Sequence, residues 1–172
     1  MRTCFLFCTA FLFSCSEQHS EYDSLVINEF LTSNTLGLVL DEMGQAEDYI
    51  EIYNKSNDPV NLRDVYLSDD STNLMVFKFP DTVIEPNGFI LVWADDDSHQ
   101  GSLHANFKLS ANKGDEIILS SNNRIIDRIQ FFPHNNNPQA RLPDISFGRN
   151  SDGDTLWTRQ KKLTPGAPNS GP

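Results

Sequence analysis

Two glutamates interrupt apolar, strand-like runs: Glu29 in Val26-Ile27-Asn28-Glu29-Phe30, and Glu51 in Asp48-Tyr49-Ile50-Glu51-Ile52-Tyr53-Asn54. Paired carboxyls can act as acid and base, as in glycoside hydrolysis, where they stand about 5 to 9.5 Å apart. The same residues also have a structural use. A buried carboxylate is stable only when backbone N–H groups, a tyrosine hydroxyl or a guanidinium pairs with it. Alternation puts Tyr49, Glu51 and Tyr53 on one face of a strand and Ile50 and Ile52 on the other, and groups Glu29 with Ile27 and Leu31. The structural use is the expectation for both glutamates.

Three acidic loops carry the other oxygen donors: Asp69-Asp70, Asp95-Asp96-Asp97 and Asn150-Ser151-Asp152-Gly153-Asp154. In the last, Asp152 and Asp154 flank a glycine and could contribute to a Ca²⁺ site, but no bidentate Glu follows at the distance a calcium loop requires. Turn chemistry, in which Asp and Asn bond their own backbone, is the expected role. Asp95 to Asp97 reads as a solvated strand end. His99 and His104 share a loop with those three aspartates, so a transition-metal site is conceivable. Their spacing does not match a helical metal-binding pair, and they read as exposed loop histidines, with His104 packing at the start of the next strand. No Gly-x-Ser-x-Gly elbow, phosphate-cradling glycine loop or His-Glu-x-x-His is present. No cofactor is expected.

The N-terminus has one cation, Arg2, then the apolar run Cys4 to Phe13, and then Ser14-Cys15. The run is too short for a bilayer span, which needs about 20 apolar residues, and reads as a processed export signal. Its end resembles the lipobox, in which cleavage precedes a cysteine that takes the lipid, so Cys15 is the expected attachment site and the membrane a partner through it. All three cysteines lie in this region, which leaves no disulfide for the remainder. The formal net charge is −11, and loss of Arg2 leaves 12 Lys+Arg against 24 Asp+Glu. With one compact basic cluster, Arg159, Lys161 and Lys162, this balance disfavours nucleic acid as a partner.

These signals divide the chain into a lipoprotein signal at 1–14, a polar tether at 15–24 and one domain at 25–170. Short apolar runs separated by turn residues predict strands over Leu25–Leu31, Tyr49–Asn54, Val65–Ser68, Leu74–Phe79, Phe89–Ala94, Asn106–Leu109, Glu116–Leu119 and Ile125–Phe132. Eight such strands predict an all-β, two-sheet sandwich. Its core is expected to include Ile27, Ile50, Ile52, Leu67, Phe77, Leu91, Trp93, Ile118 and Ile126. Trp157 and Phe132, near loops, are the candidate surface aromatics.

Taken in order, Val26 to Phe30, Asp48 to Asn54, Val65 to Asp69, Phe89 to Ala94, His104 to Ser110, Ser146 to Arg149 and Thr164 to Asn169 resemble the lamin tail domain family. The resemblance implies an immunoglobulin-like antiparallel sandwich, found in nuclear lamins and, in bacteria, on exported proteins that often carry a separate enzymatic domain. No such companion is expected here. The place of Arg149 in Phe147-Gly148-Arg149 of that pattern makes it the expected ionic partner of Glu29 and Glu51.

The expected function is a non-catalytic, lipid-anchored binding or scaffolding module of the bacterial envelope, meeting a protein or glycan through loops at one end. The alternative is a small hydrolase using Glu29 and Glu51 or an acidic metal site. Ser16 after Cys15 does not resemble the aspartate that retains lipoproteins in an inner membrane, which favours the outer membrane or cell surface.

Overall fold

The first two strands are buried on both faces, and the one that carries Glu29 does not keep a strict alternation. The computed structural model describes residues 20–111, 113–131 and 143–172. Strands β1 (Leu25–Leu31) and β2 (Tyr49–Asn54) pair antiparallel, with a bulge where the register passes from Ile27 to Glu29. A bulge inserts one residue and shifts the alternation. Leu25, Ile27 and Phe30 therefore join the main core, while Glu29 and Leu31 turn to the opposite face. This corrects the sequence-based grouping of Glu29 with Ile27.

The remaining strands are β3 (Val60–Asn61), β4 (Val65–Ser68), β5 (Phe77–Lys78), β6 (Val83–Ile84), β7 (Phe89–Trp93), β8 (Asp115–Ser121), β9 (Arg124–Phe131), β10 (Phe147–Arg149) and β11 (Trp157–Arg159). Five form one sheet in the order β11-β10-β1-β2-β7, four form a second in the order β5-β4-β8-β9, and β3 pairs with β6. Every pairing between these strands is antiparallel. Between the two larger sheets lies a core that includes Ile27, Phe30, Ile50, Ile52 and Val92 from one side and Val65, Leu67, Ile117, Leu119 and Phe131 from the other. The chain is thus an all-β sandwich, and no α-helix occurs among the described residues. No helix is long and apolar enough to cross a membrane among those residues.

Turn residues account for the connections. Asn122 and Asn123 both have positive φ (50° and 58°), as a two-residue turn between β8 and β9 requires. The side chain of Asn54 organises a second corner, donating to the carbonyls of Asp58 at 2.8 Å and Ile84 at 3.1 Å and accepting from the Ser56 N–H at 3.0 Å.

Three expectations are corrected. The segment to Ser24 is not a free tether along its whole length, because Glu21–Ser24 forms a 3-10 turn capped by Ser20 and Asp23. Tyr22 packs on the core, and the Lys55 N–H donates to the Ser24 carbonyl at 3.0 Å. Residues 106–109 form only an isolated bridge beside Asp95, not a strand. In β7 the core face carries Ile90 and Val92, so Leu91 and Trp93 lie on the outer face, where they pack with Leu31, Tyr49, Val39 and Leu163. Ile118 is likewise buried, but Ile117 and Leu119 are the β8 residues in the core. The signal, Cys15 and Phe132 lie outside the described residues.

Trp157 is not a free surface aromatic. Its ring lies 5.7 Å from Phe30 and 5.8 Å from Phe147, with the Arg149 guanidinium 5.1 Å away. Trp93 is nearly fully buried against Tyr49, at 6.3 Å between ring centres. Replacing Trp93 with alanine is expected to cost about 3 to 5 kcal/mol, and Trp157→Ala roughly 2 to 3 kcal/mol because that ring is only half-buried. Denaturant melts of the two variants check the order; a costlier Trp157 change would contradict it.

Candidate functional site

The outer face of the five-stranded sheet brings the two glutamates side by side, since Glu29 on β1 is the cross-strand partner of Glu51 on β2. Both have 0% exposure. Their cover is the C-terminal run. Glu29 accepts the Thr164 N–H at 3.2 Å and the hydroxyls of Tyr49 and Thr164. Glu51 accepts the Asn28 side-chain amide at 3.0 Å and the Gly166 N–H at 2.6 Å. All four carboxylate oxygens thus have donors from within the domain.

The electrostatics of the pair follow from this enclosure. Burial pushes the Glu51 carboxyl up to about 8, against the lowering effect of the Asn28 and Gly166 hydrogen bonds, and the nearby charges of Glu29 and Asp152 add to the rise. Burial and the adjacent Glu29 charge also raise the Tyr49 phenol far above its ordinary range, so it remains a donor. A raised carboxyl is what a general acid needs. Here its oxygens face internal donors, and surface hollows of about 410 Å³ and about 540 Å³ are lined elsewhere, by Phe147, Trp157 and Pro172 and by Ser20, Lys55 and Pro59 respectively.

Arg149 does not pair with either glutamate, which corrects the expected ion pair. Its guanidinium donates to Asp127 Oδ2 at 2.6 Å, to the Ile27 carbonyl at 2.7 Å and to the Asp154 carbonyl. The bulge explains this. Where a bulge disrupts the ladder, backbone groups need other partners. Asp127, from the opposite sheet, accepts the Ile27 N–H at 2.8 Å, while Arg149 takes the Ile27 carbonyl. The pair therefore satisfies the bulge and ties the sheets together at one edge.

Asp152 and Asp154 serve the turn between β10 and β11. Asp152 Oδ1 accepts from the Asn28 side chain at 3.0 Å and from the Asn169 N–H at 2.9 Å. Hydrogen bonds from the Leu156 and Thr155 backbone hold the exposed Asp154 carboxyl below its usual range. With Gly153 at φ 72° donating to Asn28 Oδ1 at 3.2 Å, the loop is a clasp over the bulge.

A second constellation corrects two sequence readings, since Asp95, expected at a solvated strand end, and His104, expected in an exposed loop, are both buried. His104 is buried, with Nδ1 at 2.5 Å from Asp95 Oδ2 and Nε2 at 3.0 Å from Glu42 Oε1. Burial lowers its proton affinity, but the bonds to Asp95 and Glu42 outweigh this and leave its pKa raised. Asp41, from the loop between β1 and β2, completes the group: one oxygen each of Asp41 and Asp95 and a ring nitrogen of His104 lie within 4.8 Å of one another. His99 is not among the three. Asp41 gave no signal, since it lies far from Asp95 in sequence.

Comparison with known proteins agrees with the sandwich. The family model described as Lamin Tail Domain matches residues 18–132. The chain belongs to the Lamin Tail Domain family. No curated protein matches it. The matched span begins before Leu25, consistent with the ordered turn at Glu21–Ser24. In this lamin tail domain, β10, β11 and the C-terminal run that covers the glutamates follow the matched span and complete the sheet.

Proposed function

We propose that this lamin tail domain is a non-catalytic binding or scaffolding module, anchored through lipid on Cys15 at the outer membrane or surface of a bacterial envelope. One observation carries the binding reading. The loop between β1 and β2 exposes Leu36 (73%), Leu38 (57%), Leu40 (52%) and Met43 (63%). Four large apolar side chains exposed within eight residues of one loop suit an interaction site. The loop is also held in shape. Buried Asn34 donates to the Val39 carbonyl at 2.6 Å and accepts from the Leu38 N–H at 3.1 Å, and Asp144 accepts the Leu36 N–H at 2.8 Å. A preorganised apolar loop loses less freedom on binding, which suits a protein partner better than a glycan. The acidic balance disfavours nucleic acid.

The alternative, a small envelope hydrolase, draws on the raised Glu51 carboxyl. Against it stand the internal donors to every oxygen of Glu29 and Glu51. The acidic metal site it would otherwise need at Asp152 and Asp154 is occupied by turn hydrogen bonds.

Affinity capture of the tagged protein from its native envelope tests the reading. Wild type is expected to recover one protein reproducibly, and combined Leu36→Ser, Leu38→Ser and Met43→Ser to lose it while the domain remains folded. Cys15→Ser is expected to move the protein into the soluble exported fraction in detergent partitioning. Equal capture by the loop variant would contradict the surface, and equal partitioning would contradict the anchor.

A further inference from the structure

We propose that Asp41, Asp95 and His104 form a binding site for one divalent transition ion of the Zn²⁺ class, which clips the β1–β2 loop to the end of β7. The argument begins with an oxygen. Asp41 is only 7% exposed, and its Oδ1 accepts the N–H groups of Met43 at 2.8 Å and Gln45 at 2.7 Å. Its Oδ2 is buried with no hydrogen-bond partner. A buried carboxylate oxygen left bare is costly, and an unsatisfied group of this kind calls for an explanation such as an ion.

The neighbours supply the chemistry. A carboxylate oxygen of Asp41, one of Asp95 and a ring nitrogen of His104 converge within 4.8 Å, and all three residues are buried. Neither aspartate has a lysine or arginine ion-pair partner among the described residues. Two buried carboxylates so close together repel unless a cation or proton lies between them. One imidazole with two carboxylates is a mixed N/O set, which suits Zn²⁺ and similar ions better than the all-oxygen sites of Ca²⁺ or Mg²⁺.

Occupation opens the shortest of these contacts. Ligand atoms at about 2.0 to 2.2 Å from a tetrahedral ion stand about 3.3 to 3.6 Å apart. The His104 Nδ1 to Asp95 Oδ2 separation of 2.5 Å is a hydrogen bond, so the ion replaces its proton and opens that contact. Glu42, 3.0 Å from Nε2, then accepts the remaining ring N–H and fixes the tautomer. Gly101 leaves room for this arrangement, since a Cβ there would come within 3.1 Å of Glu42 Oε1 and 3.2 Å of the His104 ring. The ligands come from the β1–β2 loop and from both ends of the loop after β7, so the ion ties these segments together. The clip stands whether or not Leu36 to Met43 bind a partner.

The test is calorimetric titration of ZnCl₂ into the full chain in detergent, with its cysteines alkylated so that thiols cannot compete. A single ion per chain is expected, and Asp41→Asn is expected to weaken it by about tenfold or more. Asp152→Asn should leave the affinity unchanged, and CaCl₂ should not displace Zn²⁺. Unaltered Zn²⁺ affinity in Asp41→Asn, or no saturable binding at millimolar Zn²⁺, would overturn the proposal. A second reading needs no change to the ligands. In a Trp157→Phe background Trp93 is the remaining tryptophan, and its ring centre is 6.4 Å from that of His104. Co²⁺ should quench its fluorescence saturably and Zn²⁺ should restore it; quenching that never saturates would overturn the site.

Discussion

Arg149→Ala is expected to destabilise the domain by about 3 kcal/mol, the low end of the cost of removing one partner of a buried ion pair, because Arg149 is buried but Asp127 is partly exposed. The change leaves the Asp127 carboxylate and the Ile27 carbonyl without the guanidinium that now meets them at 2.6 Å and 2.7 Å. It also removes the cation stacked on Trp157. A double-mutant cycle separates the two possible partners. Arg149→Ala with Asp127→Asn should be far from additive, because both residues act on Ile27, whereas Arg149→Ala with Glu51→Gln should add nearly independently. Strong coupling to Glu51 and none to Asp127 would restore the ion pair expected from the sequence.

Glu51 makes stability depend on pH in an unusual direction. Its carboxyl ionises near 4.5 in the unfolded chain and near 8 in the folded one. The folded state therefore holds the proton more tightly, and this stabilisation is fully present below about pH 4.5 and lost as pH rises through about 8. At about 1.4 kcal/mol per unit, the loss is on the order of 3 to 5 kcal/mol. Glu51→Gln carries no proton to lose. In denaturant melts wild type should lose roughly 3 kcal/mol between pH 5 and pH 8.5 that Glu51→Gln does not lose, whatever the variant's own starting stability. Parallel pH profiles for the two proteins would contradict the burial argument.

Much of the scaffold was legible before the structure, and the reasons differ by element. β1, β2 and β4 have the predicted bounds because each is a run of alternating or continuous apolar residues closed by turn chemistry. The two-residue strands β3 and β6 carry no periodicity to read. β10 and β11 are three residues each, and they are strands only through pairing, β10 with β1 and β11 with β10. The Asn28 bulge hid the true face of Glu29, since a two-residue period cannot register an inserted residue. Continuous apolar runs hid the face of Trp93 for a related reason: in Phe89-Ile90-Leu91-Val92-Trp93 both faces are apolar, so either could be the core.

The site was legible in kind more than in partner. Backbone N–H groups and a tyrosine hydroxyl were among the expected satisfiers of the glutamates, and Tyr49, Thr164 and Gly166 fill those roles. Which residues would do so depends on contacts across more than a hundred positions, as between Glu51 and Gly166. Local sequence holds no record of such distances. The same holds for Asp41, brought to His104 only by the fold.

Amide hydrogen exchange at Thr164 and Gly166 tests most directly whether the glutamate pair is a closed structural site. Both N–H groups lie in a stretch without regular secondary structure, where exchange is fast unless a specific acceptor protects them. Because each donates to a buried glutamate, the account predicts protection close to that of neighbouring β1 and β2 amides, with Gly166 protection reduced in Glu51→Ala. Exchange at both positions as fast as in an exposed loop would mean that the C-terminal run does not seal the carboxyls, and would contradict the structural reading of Glu29 and Glu51.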